Sequence, residues 1–227
     1  MKLMPIVPLV TLFFCACHSF AEEVSENSPL PRILLIGDSI SGGYQQGVKK
    51  QLEGKAEVVK NRGNAEWTGT GLLKIDEYLG DRSWDLIHFN WGLWDLYGWR
   101  YHKEDRSPEA YAKRLDQLVT RMKKTGAKLI WATTTPACPE PEVTMKRRWK
   151  QDVVISVEGQ AKYRKAALAV MKKHGVAVND LYGLMKSDLA KYATGPDNVH
   201  YNSAGCKRLA NQVAVVLEKA MQELSSK

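Results

Sequence analysis

The chain has 227 residues, 44% hydrophobic and 26% charged, with a formal net charge of +8, which suits one ordinary globular domain. Beyond the first 21 residues no stretch is long and apolar enough to cross a bilayer, and no nucleic-acid-binding motif accompanies the positive charge. Neither a membrane-spanning helix nor a nucleic-acid partner is therefore expected.

Residues 1–21 read as a signal peptide. Lys2 is their single charge, Ile6 to Phe14 is mostly apolar, and Ser19-Phe20-Ala21 is a small-x-small cleavage pattern. Removal takes Cys15 and Cys17 away and leaves Cys138 and Cys206, which an exported protein either pairs or keeps as two buried thiols. Residues 22–31 are polar with two prolines and form a flexible lead-in; residues 32–227 form the domain. Basic residues are spread along it, with runs at Lys123-Lys124, Lys146-Arg147-Arg148 and Lys172-Lys173. Such a pattern means a solvated surface, or attraction to an anionic polymer or cell envelope.

Strand-like and helix-like segments then alternate. Strands are predicted at Arg32–Ile36, Ala56–Lys60, Trp84–Phe89, Ala127–Ala132 and Val176–Asn179, mostly short apolar runs of the kind buried in parallel sheets. The first is followed by helical spacing at Ile40, Tyr44, Val48 and Leu52, closed by Gly54. Ser107 caps a second helix, with Pro108 and Glu109 in its first turn, Tyr111, Leu115, Leu118 and Met122 on one face, and Gly126 beyond its end. A third carries Tyr163, Ala167, Val170 and Met171 before Gly175, and the last starts near Ser203 with Leu209, Val213, Val216, Leu217 and Leu224 on one side. This alternation predicts one open, mainly parallel sheet of five strands with helices on both faces, a fold that binds ligands outside the C-terminal strand ends.

Polar groups gather just there. Gly37-Asp38-Ser39 follows the first strand, Asn61-Arg62-Gly63-Asn64 the second, Asn90-Trp91-Gly92-Leu93-Trp94-Asp95 the third and Thr133-Thr134-Thr135-Pro136 the fourth. Asp197-Asn198-Val199-His200 precedes the last helix. A serine at a strand-to-helix turn faces N–H groups that lack backbone partners. It becomes a nucleophile once a histidine takes its proton, and an acid three residues before that histidine can fix its tautomer. Taken singly, Ser39 is a helix cap and Asp197 and His200 are turn residues; together they form a catalytic constellation.

By the order of these motifs, Gly-Asp-Ser after the first strand and Asp-x-x-His near the C-terminus, the chain resembles the SGNH hydrolases, also called GDSL esterases. The resemblance covers essentially all of residues 32–227. It implies a flavodoxin-like three-layer α/β/α sandwich and ester hydrolysis without a cofactor, with Ser39 as nucleophile, His200 as base and then acid, and Asp197 orienting the imidazole. The family's third motif is Gly-x-Asn-Asp, with the asparagine stabilising the oxyanion. Here the frame reads Gly92-Leu93-Trp94-Asp95, so Asn90 is the substitute donor. Glu66 stands at the later glycine of the second motif, which leaves Gly63 N–H as the other donor. The variant pattern looks like an exported bacterial branch of the family.

Trp91, Trp94, Tyr97, Trp99 and Tyr101 form an aromatic cluster beside the third motif. Part of it should pack under the loop, and Trp94 and Trp99 are the candidates for a sugar-binding cleft, with Trp67 and Trp149 as further members. His88 is placed in the core, and His102 and His174 at the surface. No grouping of His, Cys, Asp and Glu has metal-ligand spacing. The expected function is a secreted serine esterase acting on a small-molecule or polysaccharide ester, in particular removing acetyl groups from a carbohydrate. Its rivals are a lipase or thioesterase, and a non-catalytic glycan-binding protein on the same fold.

Overall fold

A computed structural model describes residues 29–101, 103–137, 142–144, 154–196 and 198–226. The predicted signal peptide, most of the predicted lead-in, His102, Cys138, Trp149 and Asp197 lie outside the described residues.

Five parallel strands form the sheet: β1 (Arg32–Ile36), β2 (Glu57–Lys60), β3 (Leu86–Phe89), β4 (Lys128–Ala132) and, after a further strand pair, β7 (Ala177–Asn179). Their spatial order is β2-β1-β3-β4-β7, the doubly wound order that reverses direction beside β1. Registers such as Leu34 with Val59 and Ile87 fix β1 at the centre. Ile33 to Ile36 are each no more than 2% exposed, so each side chain contributes about 1.5–3 kcal/mol of burial.

One helical layer contains α1 (Ser39–Gln51) and α8 (Ser203–Ser225). They cover Ile33, Leu35, Leu86 and Ile130 with Tyr44, Val48, Leu209 and Val213. The other contains α2 (Thr68–Leu79), α4 (Pro108–Lys123) and α5 (Val157–His174). It buries Tyr111, Leu115, Leu118 and Met122 together with Ala167 and Met171 over Leu34, Ile87 and Trp131. The α/β/α layering is the predicted one. Ser107 accepts a hydrogen bond from Ala110 N–H at 3.2 Å and caps α4 with Pro108 in its first turn, which is why that helix was legible residue by residue.

β1 begins and ends as predicted, and the other four strands start one or two residues later than predicted. Trp84, read as the first residue of β3, donates its Nε1–H to Leu79 O at 2.8 Å and closes the preceding turn. Among the described residues the sequence reading also left unspecified α2, the short helices α3 (Leu93–Tyr97), α6 (Leu181–Lys186) and α7 (Leu189–Tyr192), and an antiparallel pair, β5 (Glu142–Thr144) with β6 (Val154–Ser156). His88 is core, 1% exposed, with burial holding its pKa down to about 4. His174 departs from its expected surface position. Packing of α4 on α5 brings Asp116 Oδ1 to 2.7 Å from its Nε2, and its side chain is only 14% exposed. Cys206 carries a free thiol.

Candidate active site

The strand-to-helix turn after β1 positions Ser39, the predicted nucleophile. Asp38 is the N-cap of α1, accepting from Ile40 N–H at 2.9 Å, and Ser39 is the first helical residue. Asp38 is 5% exposed, and burial raises its carboxyl pKa against the opposing pull of the Ile40 N–H and the Lys60 ammonium. Gly37 is required by crowding, since a Cβ there would stand 2.7 Å from Ser41 Oγ. Gly37 N–H donates to Asn61 Oδ1 at 3.0 Å, and Gly37 O accepts from Ala65 N–H at 3.2 Å and from Lys60 Nζ at 3.1 Å. The loops after β1 and β2 are thus tied into one unit.

His200 arrives from the other end of the chain. Its carbonyl accepts from Thr194 N–H at 3.0 Å and Thr194 Oγ1 at 3.1 Å, and the next residue, Tyr201, donates its hydroxyl to Pro136 O at 2.6 Å. Asn202 caps α8 immediately after, accepting from Gly205 N–H at 3.0 Å. The helix that follows lies close against α1, because Gly47 faces Ala210: a Cβ on Gly47 would be 2.7 Å from Ala210 Cβ. This close approach carries His200 over Ser39.

Ser39 Oγ and His200 Nε2 are 2.9 Å apart. On the far side of the ring, Nδ1 is 2.8 Å from Asn198 Oδ1. The same oxygen accepts from His200 N–H at 3.1 Å. A backbone N–H can only donate, so this atom is the amide oxygen and Nδ1 carries the ring hydrogen. Nε2 is then left with its lone pair toward the serine hydroxyl, the tautomer a general base needs. Sequence reasoning assigned the orienting place to Asp197, outside the described residues, and missed the contact of its neighbour Asn198.

The segments after β2 and β3 hold one feature each. Glu66, at the position where the family carries glycine, has φ +53°, the one positive φ among described non-glycine residues. Such a backbone is strained by about 1–3 kcal/mol and persists where surroundings enforce it. Here Arg100 Nη2 lies 2.7 Å from Glu66 Oε1, Thr70 Oγ1 3.0 Å from Oε2, and the Tyr101 hydroxyl also donates to the carboxylate. Its N–H donates to Asn64 Oδ1 at 2.8 Å. The second feature is Asp95, fully buried, which accepts from Thr68 N–H at 3.1 Å and Thr68 Oγ1 at 2.5 Å, with Arg114 Nη2 at 3.6 Å. Burial pushes its pKa up to about 6 despite these partners. Asp95 anchors the first residue of α2 to the short helix α3 that follows β3.

The predicted oxyanion donors are placed as follows. Gly63 is exposed in the loop after β2, and its carbonyl accepts from Lys60 Nζ at 3.1 Å. Asn90 Nδ2 donates to Ala132 O at 2.8 Å and Thr134 Oγ1 at 3.2 Å, which holds the amide to the neighbouring strand end. Adjoining the Ser39 turn is a cavity of about 10 Å³, lined by Ile40, Ser41, Asn90, Leu93 and Thr133–Thr135 among others.

Of the aromatic residues, Trp91 is core, 1% exposed, donating to Ala65 O at 3.1 Å. Trp94 is 5% exposed and packs with Trp67, Tyr97 and Val199, with Ile40 and Tyr101 against them. Trp67 stacks on Tyr101 with centroids 4.9 Å apart, and Arg100 lies over Trp94 at 5.6 Å. These rings flank the residues next to Ser39 and His200 in sequence. Trp99 begins the 3-10 turn Trp99–Tyr101, and its side chain is outside the described part. Among the described residues no group of three His, Cys, Asp or Glu side chains could hold a metal ion, and no helix is long and apolar enough to cross a membrane.

Comparison with known proteins gives three levels of likeness. An arylesterase of Vibrio mimicus is 26% identical over 137 residues, 55% of this chain; the chain spans 62% of that relative's length. The crystal structure of a lipase/acylhydrolase from Enterococcus faecalis superposes with a TM-score of 0.66 at 18% identity, over 84% of this chain and 96% of that one. An acetyl-xylooligosaccharide esterase of Geobacillus gives 0.64 at 18% identity, over 81% and 92%. At such identities these structures speak for the fold. The model of the GDSL-like lipase/acylhydrolase family matches residues 35–208, from β1 into α8, and with that match across both Ser39 and His200 the chain belongs to the GDSL-like lipase/acylhydrolase family.

Proposed function

We propose that the protein is a serine carboxylic-ester hydrolase that removes short acyl groups, acetyl foremost, from a carbohydrate outside the cytoplasm. The observation that carries the catalytic part is the relay Ser39 Oγ–His200 Nε2–Nδ1–Asn198 Oδ1, at 2.9 and 2.8 Å in the productive tautomer.

In the proposed reaction Nε2 takes the hydroxyl proton as Ser39 Oγ attacks the ester carbonyl carbon. The tetrahedral intermediate collapses when Nε2–H protonates the departing alkoxide, leaving an acyl-serine. Water then enters by the same route: Nε2 removes its proton, the hydroxide adds to the acyl carbon, and Ser39 leaves with the proton returned. Asp197 is the proposed acidic partner of the imidazole, with Asn198 fixing the ring. Gly63 N–H and Asn90 are the proposed oxyanion donors, each worth about 3 kcal/mol in a dry site. For Asn90 this requires exchanging its longer bond, to Thr134, for the oxyanion.

The short acyl group is supported by likeness in fold to the acetyl-xylooligosaccharide esterase; the space of about 10 Å³ beyond the Ser39 turn is lined by Ser41, Asn90 and Leu93 and not by Ser39 itself. The carbohydrate leaving group is supported by the same likeness in fold, with Trp99 as the proposed stacking ring; Trp67 and Trp94, 8% and 5% exposed, pack under the loop and offer no open face to a sugar. Export rests on the signal-peptide pattern of residues 1–21.

Hydrolysis of a short aryl acetate by the wild type, abolished in Ser39→Ala, is the expected result. Equal rates would refute the nucleophile and return the non-catalytic glycan-binding alternative. Acetate release from acetylated polysaccharides tests the substrate; activity confined to long-chain acyl esters would overturn it.

A further inference from the structure

The esterase reading leaves the positive charge of the chain unused. Helices α4 and α5 carry nine Lys and Arg and three Asp and Glu, a net +6 against +8 for all 227 residues. Runs of charge that look dispersed along the sequence therefore converge on one layer of the fold. Both helices begin near the C-terminal strand ends and run back along the sheet side by side, about 24 Å for the sixteen residues of α4. Between them lies a groove of about 770 Å³. Small apolar residues, Ala112, Ala166 and Ala169, line its floor, and Lys113, Lys162, Lys165 and Lys173 line its rim.

We propose that this groove binds a carboxylated polysaccharide and holds the polymer against the protein at a place separate from the Ser39 cleft. Four lysines against Glu109 and Asp116 leave the lining at a net +2, and that charge sets the sign of the ligand. Its kind follows from the side chains. Every basic residue lining the groove is lysine, a compact point charge that can meet single carboxylates spaced along a polymer without the planar two-point geometry an arginine fork imposes. No aromatic ring lines it to stack a nucleobase, and no long apolar side chain is presented for a bilayer to take up. The flat alanine floor admits the C–H face of a sugar ring. Two rim lysines already hold carboxylates: Lys173 Nζ is 2.7 Å from Asp116 Oδ1, and Lys162 Nζ is 2.7 Å from Glu158 Oε1. Glu109 also lines the groove. Exposed pairs of this kind contribute little and exchange readily with a competing carboxylate.

The proposal names no reacting group and stands apart from the esterase reading. Affinity electrophoresis and titration with polygalacturonate at low ionic strength test it. Wild type and Ser39→Ala should be retarded alike. The triple variant Lys113→Glu/Lys162→Glu/Lys165→Glu should bind at least about tenfold more weakly, equivalent to about 1.4 kcal/mol, with unchanged far-UV circular dichroism and aryl acetate rate. Lys50→Glu/Lys207→Glu/Lys219→Glu, the same charge change on α1 and α8, should still bind. No retardation of the wild type overturns the site, as does equal loss in both triple variants. Binding to duplex DNA, dextran sulfate or anionic vesicles in preference to polygalacturonate overturns the ligand class.

Discussion

Replacing Asn198 with alanine isolates what holds the imidazole. Asn198 Oδ1 accepts from both His200 Nδ1–H, at 2.8 Å, and His200 N–H, at 3.1 Å. Each neutral hydrogen bond contributes about 0.5–1.5 kcal/mol net, so losing two removes about 1–3 kcal/mol of restraint on ring and tautomer. If the ring must be re-ordered in each turnover, kcat falls by about 5- to 150-fold, with KM little changed. Asn198→Asp keeps the acceptor and adds a negative charge beside the ring, so kcat should recover while the acidic limb of the kcat/KM profile moves to higher pH. Asp197→Asn should cost more, of the order of the 10⁴-fold known for loss of an orienting carboxylate. Stopped absorbance assays on a short aryl acetate from pH 5 to 9 read all three. A kcat for Asn198→Ala within twofold of wild type would refute the orienting role. Full activity in Asp197→Asn would give Asn198 the third place in the relay.

Asn90→Ala should lower kcat by about 10²–10³-fold if the amide meets the oxyanion; a lowered Tm with kcat within threefold would leave it as a tie between β3 and β4. Gly47→Ala puts a Cβ 2.7 Å from that of Ala210, an overpacking that should destabilise by about 1–3 kcal/mol, and Ala210→Gly in the same chain should restore most of the Tm; no loss in the single variant would refute the close approach of α1 and α8. Asp95, pushed up to about 6 by burial, binds a proton in the folded chain between about pH 4 and 6 that the unfolded chain has released. Stability should therefore fall as pH rises through that window, by an amount of order 3 kcal/mol from this group. Urea unfolding at pH 4.5 and 7 should show that slope shrink in Asp95→Asn; the same slope in both proteins would contradict it.

The sheet, its order of elements and the helix Pro108–Lys123 were legible because local signals and burial agree there. Ser39 and His200 were legible because a strand-to-helix turn and a capped helix start are local events. Asn198 was not, since a reading of Asp-x-x-His looks for an acid and a neutral amide gives no such signal. Glu66 left a trace: a charged residue at a glycine position asks what holds a positive φ, and the answer, Arg100 and Tyr101, lies in a loop more than thirty residues on. Trp94 shows the opposite failure. Its place beside Asp95 suggested an open cleft, but packing with Trp67 and Tyr97 covers it to 5% exposure. The basic groove escaped for a topological reason, because α4 and α5 become neighbours only once β4 and the β5–β6 pair lie between them in sequence.

The contact between Ser39 and His200 spans 161 positions of the chain. Ser39 sits on the first helix and His200 just before the last, so closure of the proposed site waits on nearly the whole fold, and the ordering entropy of that long loop must be met before any turnover occurs. The proposed esterase activity would thus be a late clock for refolding. After dilution from denaturant, helical signal should return before the first acyl transfer, and the lag between them measures how long α8 takes to dock on α1.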